Sequence, residues 1–146
     1  MSDYVLLIAN AKNKLGGDSK MEQTRFDKGL KTLKKITDSS GTAVIDSLKE
    51  IAPELSEWII AFSYGDVLSR TKLDLKTRQL TTVAALTAMG TAEPQLKVHI
   101  NGALNVGCKQ EEIVEVILQM AIYAGFPAAI NGIYACQEVF KDRKVI

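Results

Sequence analysis

The chain contains a single histidine, His99, and its imidazole is the strongest chemical candidate by residue type. Imidazole is the only side chain whose unperturbed pKa lies near neutrality, so it can take up or release a proton under ordinary conditions. His99 follows Pro94, a residue tolerated in the first turn of a helix, and Gly102 and Ala103 lie on roughly the same helix face. Small neighbours leave room for a ligand over the ring, or equally for a second helix. The spacing alone leaves both a catalytic and a structural histidine open.

Three charged side chains are placed where they could take part in proton transfer or in binding a carboxylate. Glu115 lies near the apolar stripe of an amphipathic segment, where a carboxylate with a raised pKa could carry a proton. Arg70 and Arg78 bracket a loop and a helix start, and arginine suits two-pronged binding of a carboxylate. The alternatives are a solvated boundary residue for Glu115 and surface ion pairs for the arginines.

The two cysteines, Cys108 and Cys136, are too far apart in sequence for a redox pair or a zinc knuckle, and two thiols make no disulfide framework. Cys108 precedes a predicted helix start, where a thiolate is stabilised, whereas Cys136 fits a small packing residue. The sequence contains no glycine-rich phosphate loop, no His-x-x-x-His pair and no acidic triplet. We therefore expect no bound metal and no nucleotide.

Composition excludes several classes of protein. Across 146 residues, 18 Lys and Arg nearly balance 17 Asp and Glu, which disfavours a general nucleic-acid binder. The 47% hydrophobic content is too high for a disordered chain, and no apolar run reaches the roughly 18 residues of a membrane-spanning helix. The apolar patch in residues 1–10 lacks a basic flank and a cleavage site, so we predict no signal peptide. We expect a cytoplasmic protein without nucleic-acid or membrane partners.

Apolar residues recur at helical spacing from residue 21 onward, and no segment alternates with the period of a strand. The pattern predicts an all-α fold, a single compact domain of about six to seven helices over residues 21–146. Residues 1–20 are predicted to be an N-terminal loop or loose terminus, because residues 10–20 are polar and contain glycine.

Turn-forming and helix-capping residues divide this domain into separate helices. Asp38–Thr42 is predicted to be a turn, and Pro53 opens a helix whose inward residues would be Leu55, Trp58, Ile59, Phe62 and Val67. Asp74 is expected to cap a helix from Leu75 that Gly90 ends. An amphipathic helix over Glu111–Tyr123 and a last helix over Ala128–Phe140 follow. The helices after residue 75 are poor in charge and rich in alanine, which favours a helix-mediated oligomer.

Several ordered segments together resemble a known family, over roughly residues 25–140. They are Phe62–Arg70, Leu73–Leu80, Thr82–Leu86, His99–Gly107, Glu111–Val116 and Tyr123–Ala129. These segments resemble the carboxymuconolactone decarboxylase family, within the superfamily of alkylhydroperoxidase D. The resemblance implies an all-helical subunit that assembles into a ring-like homo-oligomer, commonly a hexamer, and acts on a small-molecule substrate.

One branch of that superfamily uses a Cys-x-x-Cys pair, with a histidine four residues after the second cysteine. Counted back from His99, the two cysteine positions are Ala92 and Gln95, and neither side chain can form a thiolate or a disulfide. Gln79 stands where the family often has an acidic residue beside Arg78. The sequence therefore lacks the dithiol mechanism of the redox branch and one of its proton carriers.

The other branch is that of the 4-carboxymuconolactone decarboxylases. Resemblance to this branch implies catalysis without a metal or an organic cofactor. As CO2 leaves, its bonding electrons pass to the conjugated lactone carbonyl, and the protein must hold the carboxylates, stabilise the oxyanion and return a proton. We expect His99 to be the proton donor or oxyanion partner. Arg70 or Arg78 would anchor a carboxylate, and Glu115 or Tyr123 would orient the histidine or the substrate.

Of these residues, His99 is the one that matches a functional position of the family closely, and the others are hypotheses from chemistry. Two alternatives stay open beside a decarboxylase. The first is an antioxidant of the peroxiredoxin or alkylhydroperoxidase type, and the second is a non-catalytic helical oligomer of the same fold.

Overall fold

A computed structural model describes residues 17–145, and within that range every regular element is a helix. The seven helices are α1 (Gly17–Ser47), α2 (Pro53–Trp58), α3 (Ile59–Leu68, a π-helix), α4 (Leu75–Met89), α5 (Glu93–Asn105), α6 (Gln110–Ala124) and α7 (Phe126–Asp142). The predicted all-α fold of six to seven helices is confirmed. The expectations for residues 1–16 lie outside the described residues.

Helix α1 is longer than the sequence predicts. It begins at Gly17, inside the segment assigned to a loop, because polar residues are as ordinary in the first turn of a helix as in a loop. The turn predicted at Asp38–Thr42 corresponds to a break at Asp38, which has the non-helical angles φ 52° and ψ −132°. The range given for α1 therefore contains two helical stretches that meet at this break, and the second continues to Ser47.

The chain divides into two compact units, the first of which comprises residues 17–34 and 43–70. In this unit α1 and α3 approach closely through two glycines. A Cβ at Gly29 would overlap the carbonyl oxygen of Ile60, and a Cβ at Gly65 would overlap that of Arg25. Arg25 also binds Asp66, with Nε 3.0 Å from both carboxylate oxygens. The two helices are thus held by backbone proximity and by a two-pronged ion pair.

The prediction of which residues of α2 and α3 point inward is largely wrong. Trp58 is 63% exposed, and Leu55, Phe62 and Val67 are exposed as well. The buried residues are Ser56, Ile60, Tyr64 and Gly65. Hydrogen bonds in a π-helix join residues five apart, so the 3.6-residue period that assigned the inward face does not apply to α3.

The second unit comprises residues 35–42 and 71–145, and it contains α4 to α7 around a shared apolar core. Its helix ends follow the sequence signals. The Asp74 carboxylate accepts a hydrogen bond from the Thr77 N–H at 3.0 Å, and Gly90 has the left-handed φ of 69° that a helix terminus favours. The core is formed by Val83, Leu96, Ile100, Ala103, Cys108, Ile113, Ile117, Ala135, Cys136, Val139 and Phe140.

None of the helices within residues 17–145 combines the length and the apolar character that a membrane crossing requires.

Candidate functional site

Helix α4 turns an unusual mixture of side chains toward the core of the second unit. Its buried residues are Gln79, Val83 and Thr87, which are spaced four apart and therefore share one helix face. Two of the three buried positions are polar, so this face needs hydrogen-bond partners as well as apolar contacts.

The side chain of Gln79 lies beside His99 of α5. Gln79 is 0% exposed, and its Oε1 is 2.9 Å from Nδ1 of the His99 ring, while His99 itself is partly exposed. Gly102, one turn further along α5, makes room for this contact, since a Cβ there would lie 3.0 Å from Oε1. The same Cβ would lie 2.9 Å from Cγ2 of Ile36, so the amide is enclosed on this side as well.

The other end of the Gln79 amide has no partner. Its NH2 group is buried and makes no hydrogen bond within the part of the chain that the structure describes. An unpaired buried donor costs roughly 1–3 kcal/mol, so native proteins rarely keep one without a reason. The orphaned NH2 group lies next to a histidine, which makes Gln79 a candidate for a functional role.

Burial lowers the pKa of His99 from 6.5 to about 4, because a charged ring would lose its hydration. Two charged side chains, Lys97 on α5 and Arg143 just after α7, have partners other than His99. Lys97 binds Glu93 at 2.7 Å and Glu138 at 2.5 Å, while Arg143 donates to the side-chain oxygen of Asn105 at 2.7 Å. His99 is therefore a neutral imidazole at neutral pH.

The two arginines expected to bind a carboxylate occupy different units. Arg78 directly precedes Gln79 in α4, is partly exposed, and donates from Nε to the carbonyl oxygen of Leu73 at 3.2 Å. Arg70 is exposed at the end of the first unit. Arg78 is the sequence neighbour of Gln79, the residue that contacts His99. Its role in binding a substrate carboxylate stays a proposal.

Glu115 and Tyr123 both lie on α6, away from the buried stripe that Ile113 and Ile117 form. Glu115 is exposed at a shallow depression that Gln110, Val114 and Phe140 also line, and Tyr123 is 74% exposed. Within the described residues, no hydrogen bond joins either side chain to His99. The contact that the structure does form at the histidine is with Gln79.

Both cysteines are buried and unpaired with each other. The thiol of Cys108 lies 3.7 Å from the carbonyl oxygen of Lys76, and burial raises its pKa. Burial also raises the pKa of Cys136, to about 12. Each thiol is therefore kept protonated, which disfavours nucleophilic chemistry at either position.

In residues 17–145 no three His, Cys, Asp or Glu side chains are grouped so that they could hold a metal ion. A second orphaned polar atom, Oγ1 of Thr87, lies by a small cavity between α4, α5 and α7 that Leu86, Glu93, Asn131 and Gly132 help to line. His99 lines neither this cavity nor the depression at Glu115.

In the sequence, Gln79 is notable only because it stands where the family often has an acidic residue. Its spacing from Val83 and Thr87 was the available signal, because a polar residue in register with a buried valine on one helix face must find a partner. The identity of that partner depends on how α4 packs on α5, which residue spacing does not specify.

The sequence pattern of the carboxymuconolactone decarboxylase family matches residues 53–138, a segment that includes both Gln79 and His99. The chain belongs to this family. The family resemblance noted in the sequence is thereby confirmed.

Similar proteins include two whose names describe decarboxylation. The chain is 31% identical to 4-carboxymuconolactone decarboxylase of Acinetobacter baylyi over 122 residues, which cover 83% of this chain and 90% of that protein. It is 30% identical to nitrosuccinic acid decarboxylase of Metarhizium robertsii over 128 residues, 86% of this chain and 87% of the fungal protein. An uncharacterised 15.0 kDa protein of Paracoccus denitrificans is 33% identical over 97 residues, 66% of this chain and 72% of that one.

Proposed function

We propose that the protein is a decarboxylase that works without a cofactor on a small carboxylated lactone of the 4-carboxymuconolactone type, with His99 transferring the proton. The observation that carries the proposal is the partly exposed, neutral imidazole of His99, held against the fully buried Gln79. The two relatives named for decarboxylation support the reaction class.

The names of those two relatives point to one kind of chemistry. In 4-carboxymuconolactone, the electron pair released as CO2 departs moves into the conjugated lactone carbonyl. In nitrosuccinic acid, a nitro group would receive it. In both cases the C–C bond to the carboxylate breaks, a delocalised anion forms, and a proton is added at carbon. We infer that this protein acts on a carboxylate with such an electron acceptor within conjugation.

In the proposed mechanism the proton comes from His99, which is neutral before the substrate binds. Because His99 has a pKa of about 4, it is a neutral imidazole with a single ring proton at neutral pH. An anionic substrate beside the ring would favour the imidazolium and raise this pKa. His99 then takes up a proton as substrate binds, and returns it to the substrate carbon after CO2 has left.

Arg78 or Arg70 is the proposed anchor for a substrate carboxylate, and Glu115 or Tyr123 is the proposed orienting group. Arg78 has the stronger support, because it belongs to the same unit as His99 and is partly exposed. Its net effect would be ground-state binding, so an Arg78→Met variant is expected to raise KM more than it lowers kcat.

We also infer a homo-oligomer, a hexamer by family resemblance, that works in the cytoplasm. The support is an exposed apolar surface on two consecutive helices, which we call the α6–α7 face. It consists of Leu118, Ile122, Tyr123, Phe126, Ile130 and Tyr134, all exposed. Such a surface is typical of a subunit interface, and the two free thiols suit a reducing compartment.

The antioxidant alternative has less support. Both thiols are buried and held protonated. A double variant, Cys108→Ser with Cys136→Ser, separates the two hypotheses. Hydroperoxide reduction that needs either thiol would disappear in this variant, whereas decarboxylation is expected to survive.

The direct test is to follow the loss of absorbance of 4-carboxymuconolactone, with CO2 release measured in parallel. We expect turnover by the wild-type protein and a fall of at least a hundredfold in kcat for His99→Ala, the usual scale of a lost proton-transfer group. Thr81→Ala is the matched control, because Thr81 is exposed and its hydroxyl donates to the Thr77 carbonyl of its own helix. Wild-type turnover no faster than that of His99→Ala would contradict the proposal.

Proton uptake gives a second test, which requires no turnover. An unreactive dicarboxylate analogue should bind with net uptake of a proton at pH 7, because its charge raises the pKa of His99. Calorimetric titration in buffers of different ionisation enthalpy measures this uptake. We expect about one proton for the wild-type protein and none for His99→Ala, and equal uptake by the two would contradict the assigned role.

A further inference from the structure

The contact between Gln79 and His99 specifies more than the position of the ring. The nearest amide atom to Nδ1 is the side-chain oxygen, at 2.9 Å. An amide oxygen can only accept a hydrogen bond, so Nδ1 must supply the hydrogen. A neutral imidazole carries one proton, and Nε2 therefore has a free lone pair.

We propose that Gln79 is a positioning residue, which holds His99 in the tautomer protonated at Nδ1 and so leaves Nε2 as the nitrogen that exchanges a proton with the substrate. The part of this inference that concerns the substrate rests on the proposed function. The part that concerns the tautomer rests on the contact alone.

The assignment follows from the orientation of the Gln79 amide, whose oxygen faces Nδ1 of His99. If the amide were reversed, its NH2 group would donate to Nδ1, the ring proton would move to Nε2, and the carbonyl oxygen would be unpaired instead. The two orientations therefore predict opposite tautomers. In the observed orientation the amide keeps a buried, unpartnered donor within the described chain, next to the ring whose Nε2 is free.

An amide at this position also differs from a carboxylate of the same shape. A glutamate would accept the same hydrogen bond from Nδ1 but would add a negative charge, which stabilises the imidazolium. Gln79 fixes the tautomer and leaves the ring neutral, so protonation of His99 awaits the charge of the substrate.

A long-range proton–nitrogen correlation spectrum tests the tautomer directly, because the chain has only one histidine. The protein should carry no histidine tag. At pH 7 we expect Nδ1 to show the shift of a protonated nitrogen and Nε2 that of an unprotonated one. The reverse assignment would overturn the proposal.

Three variants extend the test. Gln79→Leu removes the acceptor, so we expect the two tautomers to become mixed. Gln79→Glu keeps the acceptor and adds charge, so we expect the titration midpoint of His99 to rise by at least two pH units. Thr87→Val is the matched control, since Thr87 is also a buried, unpartnered polar residue on α4 and should leave the histidine signals unchanged. A Gln79→Leu spectrum like that of the wild type, or a Thr87→Val change as large as that of Gln79→Leu, would overturn the proposal.

Activity adds a separate readout. A positioning role predicts that Gln79→Leu lowers kcat at least tenfold with little change in KM, whereas loss of a binding group would raise KM. If the protein decarboxylates no substrate but shows the Nδ1 tautomer, the proposed function fails and the role of Gln79 in positioning the ring stands.

Discussion

Burial of His99 couples its protonation to unfolding of the chain. The folded protein lowers the pKa of this ring to about 4, whereas an unfolded histidine titrates near 6.5. Between these two pH values the unfolded chain binds a proton that the folded protein does not bind. Stability is therefore constant above pH 6.5, falls as the pH drops toward 4, and loses nothing further from this residue below that.

We expect the free energy of unfolding to fall by about 2 kcal/mol between pH 7 and pH 5 because of His99. Urea denaturation at a series of pH values measures it. The lowered pKa values of Asp66, Asp74 and Glu112 begin from 3.8, 3.8 and 4.5, so their effects fall below this window.

The matched variant is His99→Asn, which has a polar side chain that does not titrate. Its stability should be nearly independent of pH between 5 and 7, whatever its absolute value. A pH dependence in His99→Asn equal to that of the wild type would show that other groups cause it.

At the scale of single residues, the sequence identified the histidine but not its partner. His99 could be singled out because no other side chain of its type exists in the chain. Gln79 is chemically ordinary, and it is distinguished by complete burial and by the 2.9 Å contact that joins two helices. Both are products of packing, which residue spacing along one helix does not determine.

At the scale of elements, the crossing of α1 and α3 depends on two glycines. Because a Cβ at Gly29 or Gly65 would overlap a backbone carbonyl of the other helix, neither position can accept alanine without moving a helix. We expect Gly29→Ala and Gly65→Ala each to destabilise the protein by about 2–3 kcal/mol or more. Thermal or urea denaturation measures the change.

Gly90→Ala provides the comparison for these variants. Nothing lies within 4 Å of a Cβ at Gly90, so its cost comes from the positive φ of 69° alone, about 1 kcal/mol. If Gly29→Ala cost no more than Gly90→Ala, the close approach of α1 and α3 would be contradicted.

The element boundaries show where sequence patterns suffice. Asp74 and Gly90 act through local hydrogen bonds and local φ values, and both ends of α4 were predicted correctly. The inward face of α3 was wrong because its π-helical hydrogen bonding changes the period on which the assignment depends. The close approach of α1 and α3 at Gly29 and Gly65 depends on contacts between two helices, so it could not be predicted from the residues of α3 alone.

At the scale of the whole molecule, much of the apolar content lies on the surface of the isolated chain. On the α6–α7 face, Ile122 is 78% exposed and Phe126 is 75% exposed. The core of the second unit uses the opposite sides of these helices, for example Ile117 on α6 and Cys136 on α7. Both helices are thus apolar on two sides, which one small core does not require.

Assembly through the α6–α7 face predicts a definite response to added charge. Burying a carboxylate in an apolar contact is costly, so the double variant Ile122→Glu with Phe126→Glu should dissociate the oligomer. Light scattering after size exclusion should give about six times the 16.0 kDa chain mass for the wild type, and a much smaller mass for the variant. Lys141→Glu, an exposed charge change on α7 outside this face, is the control and should leave the mass unchanged. A wild-type protein that elutes as a monomer would contradict the assembly. A double variant that retains the full mass would place the interface elsewhere.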